Sequence, residues 1–132
     1  MIGKSLISVA EAIRDHEGWL PPNFTASPAF AGSISWRQNN PGNLRSSPFQ
    51  IGQNGGFAIF YTEELGRFGL LWDLYQKCTG NTVSGLTGKS TLADLIKVFA
   101  PPVENDTGAY IASVEASTGL NRTITLAELL TK

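Results

Sequence analysis

The chain has 132 residues, 42% of them hydrophobic and 16% charged, which is typical of one globular domain and excludes a disordered chain. A formal net charge of −1, without a cluster of Lys or Arg, gives no support to nucleic-acid binding. A single Cys and a single His exclude an intrachain disulfide and argue against zinc or a Cys/His or Ser/His nucleophile, so we expect neither metal nor cofactor.

The first predicted helix ends in an acidic residue. Leu6, Ala10 and Ile13 recur at helical spacing, Glu17 continues the same stripe, and Gly18 predicts the helix end. Burial of an unpaired carboxylate is costly, so a buried carboxyl favours its protonated form, which a general acid needs. The pattern therefore makes Glu17 a candidate catalytic acid, and the alternative is a helix-end glutamate that points into water.

A segment rich in Gly, Pro, Asn and Ser follows, at residues 19–56. It is too long for an inert connector, so we expect it to be functional or to fold as short strands. Residues 33–36 are partly β-prone, and residues 57–61, introduced by Gly55 and Gly56, are the best strand candidate.

The pattern becomes helical from Thr62, which can cap a helix with Glu63 and Glu64 in its first turn. Its predicted apolar face consists of Leu65, Phe68, Trp72 and Tyr75. Residues 91–100 predict a short helix, Asp106 or Thr107 can cap another, and Thr125 opens a capping box for the last. Helices around a small antiparallel β region predict an α+β fold in one domain, residues 1–132. A cleft between the β region and the helices would lie beside Glu17.

Four segments, in this order, carry a family resemblance: Glu17-Gly18-Trp19, Asn39-Asn40-Pro41-Gly42-Asn43-Leu44-Arg45, Gly56-Phe57-Ala58 and a Pro-x-x-Asn-Asp-Thr-x-x-Tyr segment from Pro102 to Tyr110. They resemble segments of the lysozyme-like superfamily, in particular lysozyme-like proteins of phage and bacterial genomes. The resemblance covers roughly residues 5–120. It implies a mostly helical lysozyme-like fold that cleaves the glycan strands of peptidoglycan, with Glu17 as the general acid.

The resemblance also implies substrate-binding residues. Asn39, Asn40 and Asn43 would hydrogen-bond N-acetyl groups and hydroxyls of a glycan, although Asn and Pro-Gly are equally turn formers. Arg45 would contact a lactyl or peptide carboxylate, or would equally be an ordinary surface arginine. Tyr110 would line the cleft near the scissile bond or belong to the core. Trp36 and Trp19 would stack on sugar faces, whereas Trp72 fits the core.

The second carboxylate of a glycosidase is where the sequence departs from phage-type lysozymes. Glycoside cleavage usually takes two carboxylates, yet no Asp or Glu occurs from Gly18 to Thr62. Glu63, Glu64 or Asp106 could supply the second carboxylate, although first-turn acids and an N-cap explain these residues equally well. Otherwise Glu17 works alone, as in lytic transglycosylases, whose substrate's own hydroxyl attacks and leaves an anhydro sugar.

The competing interpretation is a non-catalytic phage virion component or glycan-binding module with the same fold. In either case we expect a monomer that meets peptidoglycan and neither inserts into a membrane nor binds nucleic acid. Residues 1–14 contain no secretory signal pattern, which predicts synthesis in the cytoplasm. The resemblance implies that this is a bacterial cytoplasm and that the gene is of phage or prophage origin. The protein would then act on the wall after release by another protein or as part of a virion.

Overall fold

The computed structural model describes residues 3–25, 28–80 and 82–132, so Ala26 and Ser27 of the predicted 19–56 segment lie outside the described residues. Over these ranges the chain forms six helices and one two-stranded antiparallel sheet, which confirms the α+β class. The elements are α1 (Lys4–His16), α2 (Ile34–Arg37), β1 (Gly52–Asn54), β2 (Phe57–Ile59), α3 (Glu63–Cys78), α4 (Leu92–Phe99), α5 (Thr107–Thr118) and α6 (Leu126–Thr131). None of the described helices is long and apolar enough to span a bilayer.

The chain divides into two compact units. The helical unit consists of Met1–Ala12 and Leu71–Lys132, and the hairpin unit consists of Ile13–Leu70. Most of the predicted site residues, Glu17 among them, belong to the hairpin unit, whereas Asp106 and Tyr110 belong to the helical unit.

In the helical unit, two helices begin side by side. Thr91 and Thr125 are the N-caps of α4 and α6, each within a complete capping box, and the two threonines form an isolated antiparallel bridge. Backbone bonds from Leu92 N to Ile124 O (2.9 Å) and from Leu126 N to Ser90 O (2.8 Å) join the same two helix starts. The predicted capping box at Thr125 is confirmed, and the unit's core includes Leu6, Val9, Leu74, Leu95, Ile96, Val114 and Leu129.

Helix α5 begins as its sequence predicts. Asp106 is the N-cap, and its side chain accepts a hydrogen bond from Ala109 N at 3.1 Å. At the other end Gly119 adopts a left-handed conformation with φ 73°, which ends the helix. The buried face of this helix contains Tyr110, Ile111 and Val114.

The hairpin unit contains the sheet. Strands β1 and β2 pair with Asn54 opposite Phe57, so Gly55 and Gly56 form a two-residue loop. Both glycines have positive φ, 62° and 82°, which is the geometry of a type I′ turn. The strand predicted over residues 57–61 is therefore confirmed in its first three residues. Residues 33–36 are not a strand, because the Ser33 hydroxyl caps a short helix by accepting from Trp36 N at 3.2 Å.

The apolar face predicted for α3 is wrong. Leu65, Phe68, Trp72 and Tyr75 are between 37% and 48% exposed. The buried face instead contains Gly66, Gly69, Leu70, Leu74 and Cys78. The two glycines allow other backbone and ring atoms to approach the helix axis closely, and that approach decides which side of α3 is buried. In α1, likewise, Val9 is fully buried while Ala10 is only half-buried.

Candidate functional site

Glu17 is the residue that joins α1 to the loop after it. Its backbone N–H donates to Ile13 O at 2.8 Å, and the next two amides turn back onto the helix. Gly18 N donates to Asp15 O at 3.2 Å, and Trp19 N donates to Arg14 O at 3.3 Å. With Gly18 at φ 80°, this is a Schellman motif in which Glu17 is the C-cap and Gly18 follows it.

The motif holds the Glu17 backbone through hydrogen bonds that involve no side chain. The residue as a whole is half-buried. It directly follows the last turn of α1. Arg14, in that turn, is ion-paired with Asp15 at 3.3 Å. These backbone hydrogen bonds fix the point at the end of α1 from which the Glu17 side chain extends.

Asn40 is entirely buried, and its side chain joins two parts of the hairpin unit. Its Nδ2 donates to Leu44 O at 2.9 Å and to Ala58 O at 3.0 Å, while its Oδ1 accepts from Leu44 N at 2.9 Å. Buried amides of this kind are normally fully hydrogen-bonded, and this one is. Of the two roles predicted for Asn40, the structure shows the turn-building one.

Asn39, directly before Asn40, and Asn43, three residues after it, both adopt the left-handed conformation, with φ values of 54° and 50°. Asparagine tolerates that conformation better than most residues. Asn39 Nδ2 donates to Phe60 O at 3.1 Å, so it also builds the turn. Asn43 Oδ1, by contrast, is buried without a hydrogen-bond partner among the described residues. Sugar binding by these two asparagines stays a prediction.

The Asn39–Arg45 segment packs closely against α3 and is hydrogen-bonded to β2. A Cβ atom on Gly66 of α3 would overlap with the carbonyl oxygen of Asn39, and one on Gly42 would come within 2.6 Å of Leu70 Cδ1. On the other side Ala58 N donates to Leu44 O at 2.9 Å. These contacts explain why the segment needs small residues and amides at these positions, independently of any ligand.

The remaining predicted contact residues lie at different depths. Arg45 is exposed, and its guanidinium carbon lies 5.0 Å from the Phe57 ring centroid, in a cation–π arrangement. The half-buried Trp36 packs its indole on Gly32, where a Cβ would come within 2.7 Å of the ring. Trp19 is half-buried as well. Tyr110 is 1% exposed and belongs to the core of the helical unit, which is the second of the two placements predicted for it.

Each candidate for a second carboxylate lies at a helix start. Glu63 lies in the first turn of α3 and is 3.8 Å from Arg67 Nε, with both side chains about half-exposed. Glu64 is exposed in the same turn, and Asp106 is the N-cap of α5. The helix-start explanation therefore accounts for the position of all three. Their catalytic role stays a prediction.

A groove that the sequence did not predict lies between α2 and the sheet. We call it the hairpin groove; its volume is about 370 Å³, and it is lined by Ile34, Arg37, Gln38, Asn54, Gly55, Phe57 and Ile59. Gln38 fixes its inner wall, because its buried Nε2 donates to Ala58 O at 3.1 Å. Arg37 Nε donates to Gly32 O at 3.1 Å. The one sequence signal for this groove is that Arg37 and Arg45 are the only charged residues from Gly18 to Thr62.

Neither a cluster of metal ligands nor a reactive thiol is found among the described residues. Across the described ranges, no group of three or more His, Cys, Asp or Glu side chains could hold a metal ion. Burial raises the pKa of the Cys78 thiol to about 12, with Lys77 opposing the shift, so the thiolate needed for nucleophilic attack is scarce at neutral pH.

Comparisons with known proteins give no match to a family model, to a curated protein or to a solved structure. Function is therefore inferred from the residues and their geometry, and the lysozyme-like resemblance of the four segments remains a prediction.

Proposed function

We propose that this protein has a lysozyme-like fold and cleaves β-1,4 glycosidic bonds in the glycan strands of bacterial peptidoglycan, with Glu17 as the general acid. The observation that carries the proposal is the position of Glu17. It is a half-buried residue at the C-cap of α1, and a Schellman motif of backbone hydrogen bonds holds its backbone. The four segments that resemble lysozyme-like proteins supply the substrate class.

In the proposed reaction Glu17 transfers its proton to the leaving oxygen as the bond between that oxygen and the anomeric carbon breaks. The positive charge that develops on the sugar then needs either a second carboxylate or an internal nucleophile. No acid occurs from Gly18 to Thr62, and Glu63, Glu64 and Asp106 are accounted for at helix starts. These facts favour a lytic transglycosylase, in which a hydroxyl of the same sugar attacks the anomeric carbon and returns its proton to the Glu17 carboxylate.

The second candidate function is a non-catalytic glycan-binding module, such as a phage virion component. The hairpin groove favours it, because a groove with a charged rim and an apolar floor can bind a ligand without any catalytic carboxylate. As an enzyme, the protein would work as a phage endolysin or as a virion-associated muralytic protein.

The test is mass spectrometry of the soluble products after purified peptidoglycan is incubated with the wild type, Glu17→Gln and Glu11→Gln. Glu11→Gln is the matched control, because it removes a carboxylate from an exposed position on the same helix. We expect anhydro-ended fragments from the wild type and the control, and turnover lowered by about a hundredfold to ten-thousandfold in Glu17→Gln.

The other outcomes separate the alternatives. Hydrated reducing ends would make the protein a hydrolase and return attention to Glu63, Glu64 and Asp106. Normal turnover by Glu17→Gln would end the catalytic assignment of this residue. Retention on peptidoglycan without any soluble product, on walls from several bacteria, would support the binding module.

A further inference from the structure

The segment from Gly18 to Thr62 has the charge composition expected of an anion site. It contains two arginines and no acid, although the whole chain has 11 acidic residues and a net charge of −1. All of the acidic residues therefore lie outside this segment. A negatively charged ligand meets no opposing carboxylate from these residues, and opposite charges attract most strongly where no other charge competes.

Arg37 is the arginine of this segment that lines the hairpin groove. Its Nε donates to Gly32 O at 3.1 Å, which leaves the two Nη groups without a hydrogen-bond partner among the described residues. Gly32 is buried, with a φ of 99°, and Trp36 packs on it, so the carbonyl that holds Arg37 is itself fixed. A guanidinium tethered at one nitrogen is partly ordered before any ligand arrives, which reduces the entropic cost of binding.

The rest of the hairpin groove is largely apolar. Ile34 is 51% exposed at the rim, and Phe57 and Ile59 are half-buried along the strand. At about 370 Å³ the groove is near the lower end of the range for small-molecule sites, about 300–1,000 Å³. It therefore suits a short group that combines one charge with a small apolar part, and not a whole oligosaccharide.

We propose that the hairpin groove binds the free carboxylate of a peptide stem of peptidoglycan, with Arg37 as the carboxylate-binding residue and the apolar side chains of Ile34, Phe57 and Ile59 against the small side chains of the stem. A guanidinium and a carboxylate form paired, charge-assisted hydrogen bonds, and an amide in place of the carboxylate cannot accept them in the same way. The identity of the ligand rests on the proposed function, whereas the charge and shape preference rests on the groove alone.

The test is a titration of the isotope-labelled full chain with N-acetylmuramyl-L-alanyl-D-isoglutamine, which ends in a free carboxylate, and with its terminal amide. We expect the carboxylate to shift the NMR signals of Asn54, Gly55 and Phe57 and to bind roughly tenfold or more tightly than the amide. Arg37→Gln should weaken carboxylate binding by a similar factor. Arg67→Gln is the control, since it removes the same charge from an exposed position on α3. Equal binding of the two probes, no shift at the groove, or normal binding by Arg37→Gln would overturn the proposal.

A second pair of variants avoids any loss of the Arg37–Gly32 bond. Ile34→Glu and Ile34→Lys place opposite charges at the same exposed rim position, so their effects on folding should be alike. The glutamate variant should bind the carboxylate probe several-fold more weakly than the lysine variant. Equal affinities would overturn the proposal even if Arg37→Gln failed to fold.

Binding and cleavage can fail separately. Glu17→Gln should bind the probe as the wild type does, because Glu17 does not line the hairpin groove. Arg37-dependent binding together with a complete absence of glycan cleavage would contradict the proposed catalytic function and leave the groove proposal standing. Glycan cleavage without any Arg37-dependent binding would contradict the groove proposal and leave the proposed catalytic function standing.

Discussion

Gly66 of α3 lies against the carbonyl of Asn39, so closely that a Cβ atom on Gly66 would overlap with Asn39 O and would come within 2.9 Å of Pro41 Cδ. We expect Gly66→Ala to lower the free energy of unfolding by about 3 kcal/mol or more, since either the segment or the helix has to move. The higher helix propensity of alanine offsets this by only about 1 kcal/mol. Urea unfolding of the variant checks the prediction.

Gly52→Ala is the control for this variant. Gly52 lies in β1, its φ is not in the left-handed region, and no atom lies within 4 Å of a Cβ atom added there. Its replacement should change stability little. The same unfolding midpoint for Gly66→Ala and wild type would mean that the close approach of α3 to Asn39 is incorrect.

Gly18 and Gly119 form a natural pair for testing the position of Glu17. Both end a helix with positive φ, 80° and 73°, and neither has an atom within 4 Å of an added Cβ. Each Gly→Ala change should therefore cost about 1–2 kcal/mol of stability from left-handed strain alone. Only Gly18→Ala should also lower glycan cleavage, because it disturbs the turn that orients Glu17. Equal activity of the two variants, measured on peptidoglycan, would argue against backbone positioning of the acid.

The Glu115–Arg122 pair predicts how stability depends on pH. Arg122 Nη2 donates to Glu115 Oε1 at 2.6 Å, and Arg122 N donates to Oε2 at 2.7 Å. These bonds, the side-chain one foremost, lower the pKa of Glu115 below its usual 4.5. Since the folded pKa is the lower one, the stabilisation is present above about pH 4.5 and is lost as the pH falls through the folded value.

Glu115→Gln should therefore melt at a lower temperature than the wild type at pH 7, and the difference should shrink as the pH is lowered below 4.5. Salt should also reduce the difference at pH 7, because the pair is partly exposed. Glu11→Gln controls for the change in net charge. A difference in melting temperature that stays constant down to about pH 2 would contradict the assignment.

Much of the secondary structure could be predicted because its signals are local. The caps at Thr91, Asp106 and Thr125 and the stop at Gly18 each depend on residues within one turn. The buried side of α3 could not be predicted in this way. Hydrophobicity favours Phe68 and Trp72, yet the helix buries Gly66 and Gly69, since what matters there is the space that another segment needs.

The features of the candidate site likewise divide into those with a local sequence signal and those that depend on distant residues. The Gly18 turn that holds Glu17 is visible in the sequence, because glycine after a helix is a common local signal. The burial of Asn40 is not visible, since one of its partners, Ala58, is 18 residues away. The shape of the hairpin groove is not visible for the same reason, because its walls come from α2 and from a sheet that begins well after α2 ends; only the charge pattern of its segment shows in the sequence.

The Schellman motif at the end of α1 also has an evolutionary consequence. Its hydrogen bonds use backbone atoms and need a particular residue type only at Gly18, so the turn itself does not depend on which side chain residue 17 carries. A lineage can therefore gain or lose the carboxylate by a single codon change while the turn persists. Under the proposed function, enzymes and inert wall-binding descendants of one ancestor would then be separated by one mutational step at this position.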